Sequence, residues 1–330
     1  MSTMPHVLVT GGAGYIGSHV VLALLDAGHH VTVVDNLTSG FRWAVPSTAA
    51  FYEGDILDHA LVNRVILERE IGAIMHFAGS VVVPESVTDP LKYYRNNTVA
   101  AEKLLECAVS NGVRHFVFSS TAAVYGDSAH IPVTEDAVAR PGNPYGASKL
   151  MTELMLRDVA AAHSFNFCAL RYFNVAGADP GGRTGQSTAS ATHLIKVAVE
   201  AAIGKRDEVI VFGDDYATAD GTGVRDYIHV TDLAQAHLAA LERLVAEPTL
   251  SLTLNCGYGR GHSVLEVLDA VDRVAGIRIP RRIAPRRAGD PSALVADNSR
   301  ILATLKWVPQ YRDLDTIVSH ALAWERKLQS

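Results

Sequence analysis

A short apolar run near the N-terminus breaks into glycines, and that break constrains the rest of the chain. Val7-Leu8-Val9-Thr10 reads as a strand and Gly11-Gly12-Ala13-Gly14 as a turn, and from Ile16 onward Val20, Leu24 and Leu25 return at helical spacing. Strand, glycine turn and helix in that order make a phosphate cradle. Gly11 supplies a backbone angle closed to other residues, Gly14 lets an anion approach the main chain, and Gly17 lets the helix pack tightly on the strand. The free amides of the helix start then face the anion. Three glycines in a turn often serve only the turn, so the context decides. His30-Val31-Thr32-Val33-Val34 is a second strand ending at Asp35, 18 residues beyond Gly17. A carboxylate there accepts hydrogen bonds from both adenosine ribose hydroxyls and repels a 2′-phosphate, so the expected ligand is NAD rather than NADP.

The bulk properties narrow the class. At 330 residues and 48% hydrophobic content the chain is long enough for a large core or two lobes. A net charge of -6 with 19% charged residues offers no basic field for nucleic acid or an anionic membrane. Arg278, Arg281, Arg282, Arg286 and Arg287 are a local exception, with no aromatic platforms between them, and suit a small anionic ligand better than a polynucleotide. Cys107, Cys168 and Cys256 are widely spaced inside apolar runs, which reads as reduced core residues of a cytoplasmic protein. The start has no basic segment or cleavage pattern, and Asp26 cuts the apolar stretch Val20 to Leu25, so neither a signal peptide nor a membrane span is expected. The 14 histidines show no metal-binding spacing, and no metal is expected.

From the N-terminus to about Phe173 strands and helices alternate. Strands are expected near 6–10, 30–34, 50–52, 73–77, 114–118 and 166–171, and helices near 16–27, 58–70, 91–111 and 145–163. Near-continuous apolar strands such as Phe116-Val117-Phe118 suit a parallel sheet covered on both faces, a doubly wound α/β domain of Rossmann type. Ligands of such sheets lie across the carboxyl ends of the strands. The texture changes past Asn174: Gly177 to Gly185 is a long loop, followed by a helix near 191–203, strands near 208–212 and 224–230, a helix at 233–245 and a strand near 251–255. Ser263-x-x-Glu266 is a capping box opening a helix to about Ala275, and a last helix runs from Asp313 to Lys327. The expected organisation is a cofactor domain at 1–176, rejoined by 228–255, and a smaller α+β lobe from 177–227 and 256–330.

Tyr145-Gly146-Ala147-Ser148-Lys149 follows Pro144, which a first helical turn tolerates, so Tyr145 and Lys149 lie on one face a turn apart. A neighbouring ammonium favours the phenolate, as would the cationic ring of NAD, making Tyr145 a general base for an alcohol with Lys149 as its electrostatic partner. Alone, this spacing is a weak signal. Ser119-Ser120-Thr121 at the end of the preceding strand strengthens it, and Thr121 is the expected third member.

With these residues the chain resembles the extended short-chain dehydrogenase/reductase family. The matching stretches are Thr10 to Gly17, His76-Phe77-Ala78-Gly79, Tyr93-Tyr94-Arg95-Asn96-Asn97, Tyr145-x-x-x-Lys149, Arg171-Tyr172-Phe173-Asn174, Asp220 to Val230, and Ala284-Pro285-Arg286-Arg287-x-Gly289-Asp290. The likeness is to the branch that epimerises UDP-hexoses at C4, almost from end to end, and Gly182-Arg183-Thr184-Gly185-Gln186-Ser187 resembles members that serve bacterial polysaccharide synthesis. It implies that Tyr15, Ile16, Asp35 and Asn36 hold the phosphates and adenosine of NAD, with Asp55 and Ile56 beside the adenine. Phe77, Ala78, Gly79, Asn97 and Phe173 would line the rest of the cofactor's path. Asn174, His193, Leu194, Arg225, Arg287 and Asp290 would hold the UDP moiety, with Arg225 and Arg287 as guanidinium forks on its phosphates. For Arg225 the competing expectation is a surface pair with Asp226. A homodimer through the helices near 91–111 and 145–163 is also implied.

The chain departs from the family pattern at several places. Val81 stands where a lysine is common, Thr121 replaces a serine, His193 replaces an asparagine, and Leu294 falls where side-chain bulk excludes an N-acetyl group. The expectation is interconversion of UDP-galactose and UDP-glucose through a 4-keto sugar. The rivals are an epimerase of uronate or N-acetylhexosamine nucleotides, a 4,6-dehydratase, an alcohol dehydrogenase and a non-catalytic NAD sensor. A dehydratase would want an Asp-Glu pair after Thr121, where this chain has Ala122-Ala123.

Overall fold

The computed structural model describes residues 4–128, 130–188, 191–287 and 290–329, so Gly289 of the arginine motif lies outside the described residues. The chain begins β1 (His6–Thr10), α1 (Tyr15–Asp26), β2 (Val31–Asp35), β3 (Ala50–Glu53), α2 (His59–Glu68) and β4 (Ile71–His76). It continues with α3 (Val83–Thr88), α4 (Pro90–Tyr93), α5 (Ala100–Ser110), β5 (His115–Thr121), α6 (Pro144–Ala162), β6 (Asn166–Tyr172) and β7 (Asn174–Ala176). Then follow α7 (Leu194–Ala202), β8 (Val209–Phe212), β9 (Val224–His229), α8 (Val230–Ala246) and β10 (Leu252–Cys256). The last elements are β11 (Gly261–Ser263), α9 (Val264–Ala275), β12 (Arg281–Ala284), β13 (Ala293–Leu294), α10 (Ser299–Thr304) and α11 (Leu314–Lys327).

Seven strands form one parallel sheet in the order β10-β6-β5-β4-β1-β2-β3. This is the doubly wound α/β fold. Successive side chains of a strand point to opposite faces, and Val7 and Val9 accordingly join the apolar cluster under α1 and α8, while Leu8 joins the one under α2, α5 and α6. Both clusters are fully buried around β1, and each buried Leu or Phe is worth about 1.5–3 kcal/mol relative to exposure. The order reverses between β1 and β4, so a crevice opens at their carboxyl ends. The remaining strands make two small sheets, one of β11-β9-β13 with β7 beside β9, and one of β8 with β12.

The helix expected at 91–111 is broken into pieces. Pro90 lacks an amide for a preceding turn, and the Asp89 carboxylate caps the Lys92 amide instead, so the chain restarts there. Tyr94–Val99 is wound more widely, as a π-helix, before α5 begins. The capping box at Ser263 is present in both directions, with α9 ending at Gly276 in the left-handed region. The short pieces β7, β11, β12, β13, α3 and α10 escape a reading based on periodicity, because two to six residues hold too few repeats. Among the described residues no helix is long and apolar enough to cross a membrane, and the three cysteines are buried and unbridged.

Candidate active site

The glycine turn closes directly on the end of β4. Gly11 has φ of +71°, and a Cβ there would lie 2.5 Å from the Ala78 amide nitrogen. A Cβ on Gly17 would run into the Gly11 carbonyl. The turn is therefore as tight as main-chain contact allows. Gly14 precedes α1 without any side-chain cap, so the first amides of that helix remain open for an anion. Asp35 ends β2 almost fully buried, with one carboxylate oxygen accepting from the Ala13 amide at 2.9 Å and the other from Leu37 at 2.8 Å. It braces the glycine turn while keeping lone pairs free, and burial raises its pKa against those two bonds. Asn36 donates to Asp55 at 2.9 Å, which places the two side by side beyond β2 and β3, next to buried Ile56. The Tyr15 hydroxyl is committed to the Gly177 carbonyl at 2.7 Å, so Tyr15 offers a bound phosphate only its main chain, as does Ile16. An uncapped helix start, a cradle that any Cβ would fill and a carboxylate at the end of β2 fit a dinucleotide without a 2′-phosphate.

Beyond β4, the amides of Phe77 and Ala78 return to the Thr10 carbonyl, and the Phe77 ring packs 4.8 Å from that of His237. Asn97, on the widened turn before α5, is buried and holds the next loop. Its oxygen accepts from the Ser80 amide at 2.7 Å, and its amide donates to the Ser80 carbonyl and the Ser148 hydroxyl. A Cβ on Gly79 would meet the Asn97 oxygen at 2.8 Å and come within 3.9 Å of the Lys149 Nζ. Gly79, Asn97 and Lys149 thus converge.

Tyr145 and Lys149 open α6, which Asn143 caps, and both are buried. The Lys149 ammonium donates to the Ser119 carbonyl at 2.9 Å and lies 4.9 Å over the Phe118 ring. Burial lowers it to about 8. The expected depression of the Tyr145 phenol by Lys149 is not what the structure gives. Burial raises Tyr145 above its ordinary value, and the nearby Thr121 hydroxyl pulls the other way. The ammonium is engaged with a carbonyl instead. Thr121 also accepts from the Ala123 amide at 3.1 Å, which fixes its rotamer beside the phenol. Sequence reasoning placed Ser119 and Tyr172 at strand ends but gave neither a role, and their hydroxyls bond each other at 2.8 Å; it missed Glu153, which lies one turn past Lys149 and pairs with Arg171.

On the other rim, buried Phe173 packs with Ala122, Val124 and Tyr125 and is followed by Asn174 at the head of β7. His193 and Leu194 open α7, which has no side-chain cap, and the exposed His193 ring bonds the Gln186 amide at 2.8 Å. Arg225 does not pair with Asp226. Adjacent residues of a strand face opposite ways: Asp226 is fully buried, accepts from the Tyr258 and Gly259 amides at 2.9 Å each, and is pushed by burial up to about 6. Arg225 stands half-buried, in register with Leu294 of β13. The arginine cluster does not act as one anion site. Arg281 is tied to Asp269 and Asp272, Arg282 to Glu208 and Arg286 to Asp215, whereas exposed Arg287 lies 3.7 Å over the Phe212 ring. Asp290 is exposed, its amide reaching the Arg287 carbonyl. Among the described residues no cluster could hold a metal ion.

The family described as NAD dependent epimerase/dehydratase matches residues 7–257. The chain belongs to that family. It is 56% identical to a UDP-glucose 4-epimerase of Azospirillum brasilense, covering 98% of this chain and 93% of that one. The UDP-glucose 4-epimerase of Brucella ovis, solved in complex with NAD, superposes with a TM-score of 0.93 at 44% identity over 97% of this chain and 98% of that one. That of Bifidobacterium longum, solved with NAD+ and UDP, gives 0.92 at 40% identity over 98% of each chain. The protein is an epimerase of the NAD-dependent kind, and NAD is its cofactor.

Proposed function

We propose that this enzyme interconverts UDP-galactose and UDP-glucose, with Tyr145 as the general base. The observation that carries the reading is the meeting of Tyr145, Thr121 and Lys149 beside Gly79 and Asn97 at the carboxyl edge of the sheet. Tyr145 takes the proton from the sugar O4 and later returns it, and the Thr121 hydroxyl holds the same oxygen and the phenol in line. Lys149, one turn along α6 and tied to the Ser119 carbonyl, keeps that edge of the site in place beside Gly79. NAD, when bound, supplies the acceptor and donor of the C4 hydride, and its cationic ring favours the Tyr145 phenolate. The 4-keto sugar turns about its diphosphate, which Arg225 and Arg287 hold, and presents its other face. Asn174, His193, Leu194 and Asp290 complete the UDP site, in a lobe built from 177–227 and 256–330.

The burial of Tyr145 supports a reaction shielded from water, with the keto sugar retained. A sensor has no use for a phenol and hydroxyl so arranged. Met151 and Leu154 on α6 are exposed beside Val87, Leu91 and Val99, an apolar face that supports a homodimer across the α5 and α6 region. Unbridged buried cysteines are consistent with a cytoplasmic enzyme. Tyr145→Phe is the direct test: turnover of UDP-galactose should fall at least about a thousandfold with NAD and UDP binding kept. Near-normal turnover would remove the base from the account. UDP-glucuronate and UDP-N-acetylglucosamine in the same assay separate the other epimerases.

A further inference from the structure

Every one of the last three residues of β5 meets α6. Thr121 lies beside the Tyr145 phenol, Ser119 accepts from Lys149 through its carbonyl at 2.9 Å, and the Ser120 hydroxyl donates to Glu153 at 2.5 Å. Tyr145, Lys149 and Glu153 recur every four residues, so they line one face of α6. Glu153 is gripped from a second strand as well: Arg171 of β6, in register with Ser120, donates to its two oxygens at 3.0 and 2.6 Å. Arg171 also donates to the Tyr125 hydroxyl at 3.0 Å, and Tyr125 to Asn255 of β10 at 2.6 Å. Glu153 and Arg171 are both almost fully buried.

We propose that Glu153, locked to Ser120 and Arg171, is a positioning residue that sets the height of α6 on β5 and so holds Tyr145 against Thr121. This rests on the epimerase reading above. Apolar packing alone lets a helix slide by fractions of an ångström on a sheet, and a misplacement of about 1 Å costs roughly a hundredfold in rate. Polar pins with fixed geometry remove that freedom. Stability is a weak reason for such a pair, because desolvating two charges cancels most of their attraction, and an apolar pair of the same volume would fold as well. What the ions add is register. The groups that face Tyr145 are Thr121 from β5, Tyr172 from β6, Tyr93 from α4, whose ring lies 6.4 Å away, and Lys149 from α6 itself. Among them Thr121 is the neighbour that draws the phenol down, so moving α6 away from β5 raises it.

Two variants separate positioning from folding. Ser120→Ala removes one bond and leaves Glu153 paired with Arg171, while Glu153→Gln keeps the shape and removes the charge. The phenolate absorbance of each NAD-loaded variant is followed against pH, with the signal of the matching Tyr145→Phe protein subtracted. Tyr145 should titrate about half a unit to one unit higher in both. kcat should fall about fivefold to twentyfold at unchanged KM. An unchanged Tyr145 midpoint with intact kcat in Ser120→Ala overturns the proposal, whatever happens to the melting temperatures. The titration needs no substrate, so it judges the pin separately from the epimerase reading, which wild-type turnover decides.

Discussion

Gly11 and Gly276 have nearly the same left-handed backbone, φ of +71° and +72°, but different surroundings. A Cβ on Gly276 meets nothing within 4 Å, whereas one on Gly11 falls 2.5 Å from the Ala78 nitrogen and 2.8 Å from both the Ala78 Cα and the Phe77 carbonyl carbon. Alanine at either position pays about 1–2 kcal/mol for the left-handed angle. At Gly11 the neighbours are main chain and cannot turn aside, so the ends of β1 and β4 must separate, adding about 2 kcal/mol. With an unfolding entropy near 2.1 cal/mol/K per residue, Gly276→Ala should lower Tm by about 1–3 °C and Gly11→Ala by about 4–6 °C. The second loss has a functional counterpart, because the displaced segment is the floor of the cofactor crevice. NAD released on denaturation after gel filtration, measured beside calorimetry, should be near stoichiometric for Gly276→Ala and nearly absent for Gly11→Ala. Equal melting temperatures, or NAD retained by Gly11→Ala, would refute the view that this turn is limited by main-chain contact.

His237 is buried with Nδ1 bonded to the Leu233 carbonyl, Nε2 has no partner among the described residues, and burial lowers its pKa to about 4. An unfolded histidine binds its proton near pH ~6.5, so stability is present above that value and falls on acidification towards pH 4, by up to about 1.4 kcal/mol per pH unit; His237→Leu should flatten this slope by one proton in urea unfolding across that range. Arg287→Ala should raise the KM for UDP-galactose about tenfold or more, while Arg286→Ala, whose native side chain is held by Asp215, should change it less than about threefold; equal effects would remove Arg287 from the diphosphate site. Sedimentation should find a dimer at micromolar concentration, and Leu154→Glu, which charges the exposed apolar face, should shift it to monomer.

The cofactor half was legible because its signals are local. The turn between β1 and α1 is written in consecutive residues, and the parallel sheet in apolar runs longer than any half-exposed strand would carry. What stayed hidden depends on contacts far apart in the chain. Nothing near Arg281, Arg282 or Arg286 announces that Asp269, Asp272, Glu208 and Asp215 neutralise them, so five arginines in sequence looked like one field. The Arg225 and Asp226 question was decided by partners distant in the chain, the Tyr258 and Gly259 amides that hold the Asp226 carboxylate on the side of β9 away from Arg225. The Tyr145 phenol was misjudged because spacing places Lys149 one turn away but cannot show its ammonium drawn to the Ser119 carbonyl. The Glu153 pin had a readable half, four residues past Lys149, while its partner Arg171 comes from a separate strand.

The central claim is a closed hydride cycle on a resident cofactor. Purified protein given UDP-galactose and no added NAD should form UDP-glucose, with no free NADH accumulating in solution. Failure to convert even after NAD is supplied, or release of NADH in step with UDP-galactose consumed, would contradict it.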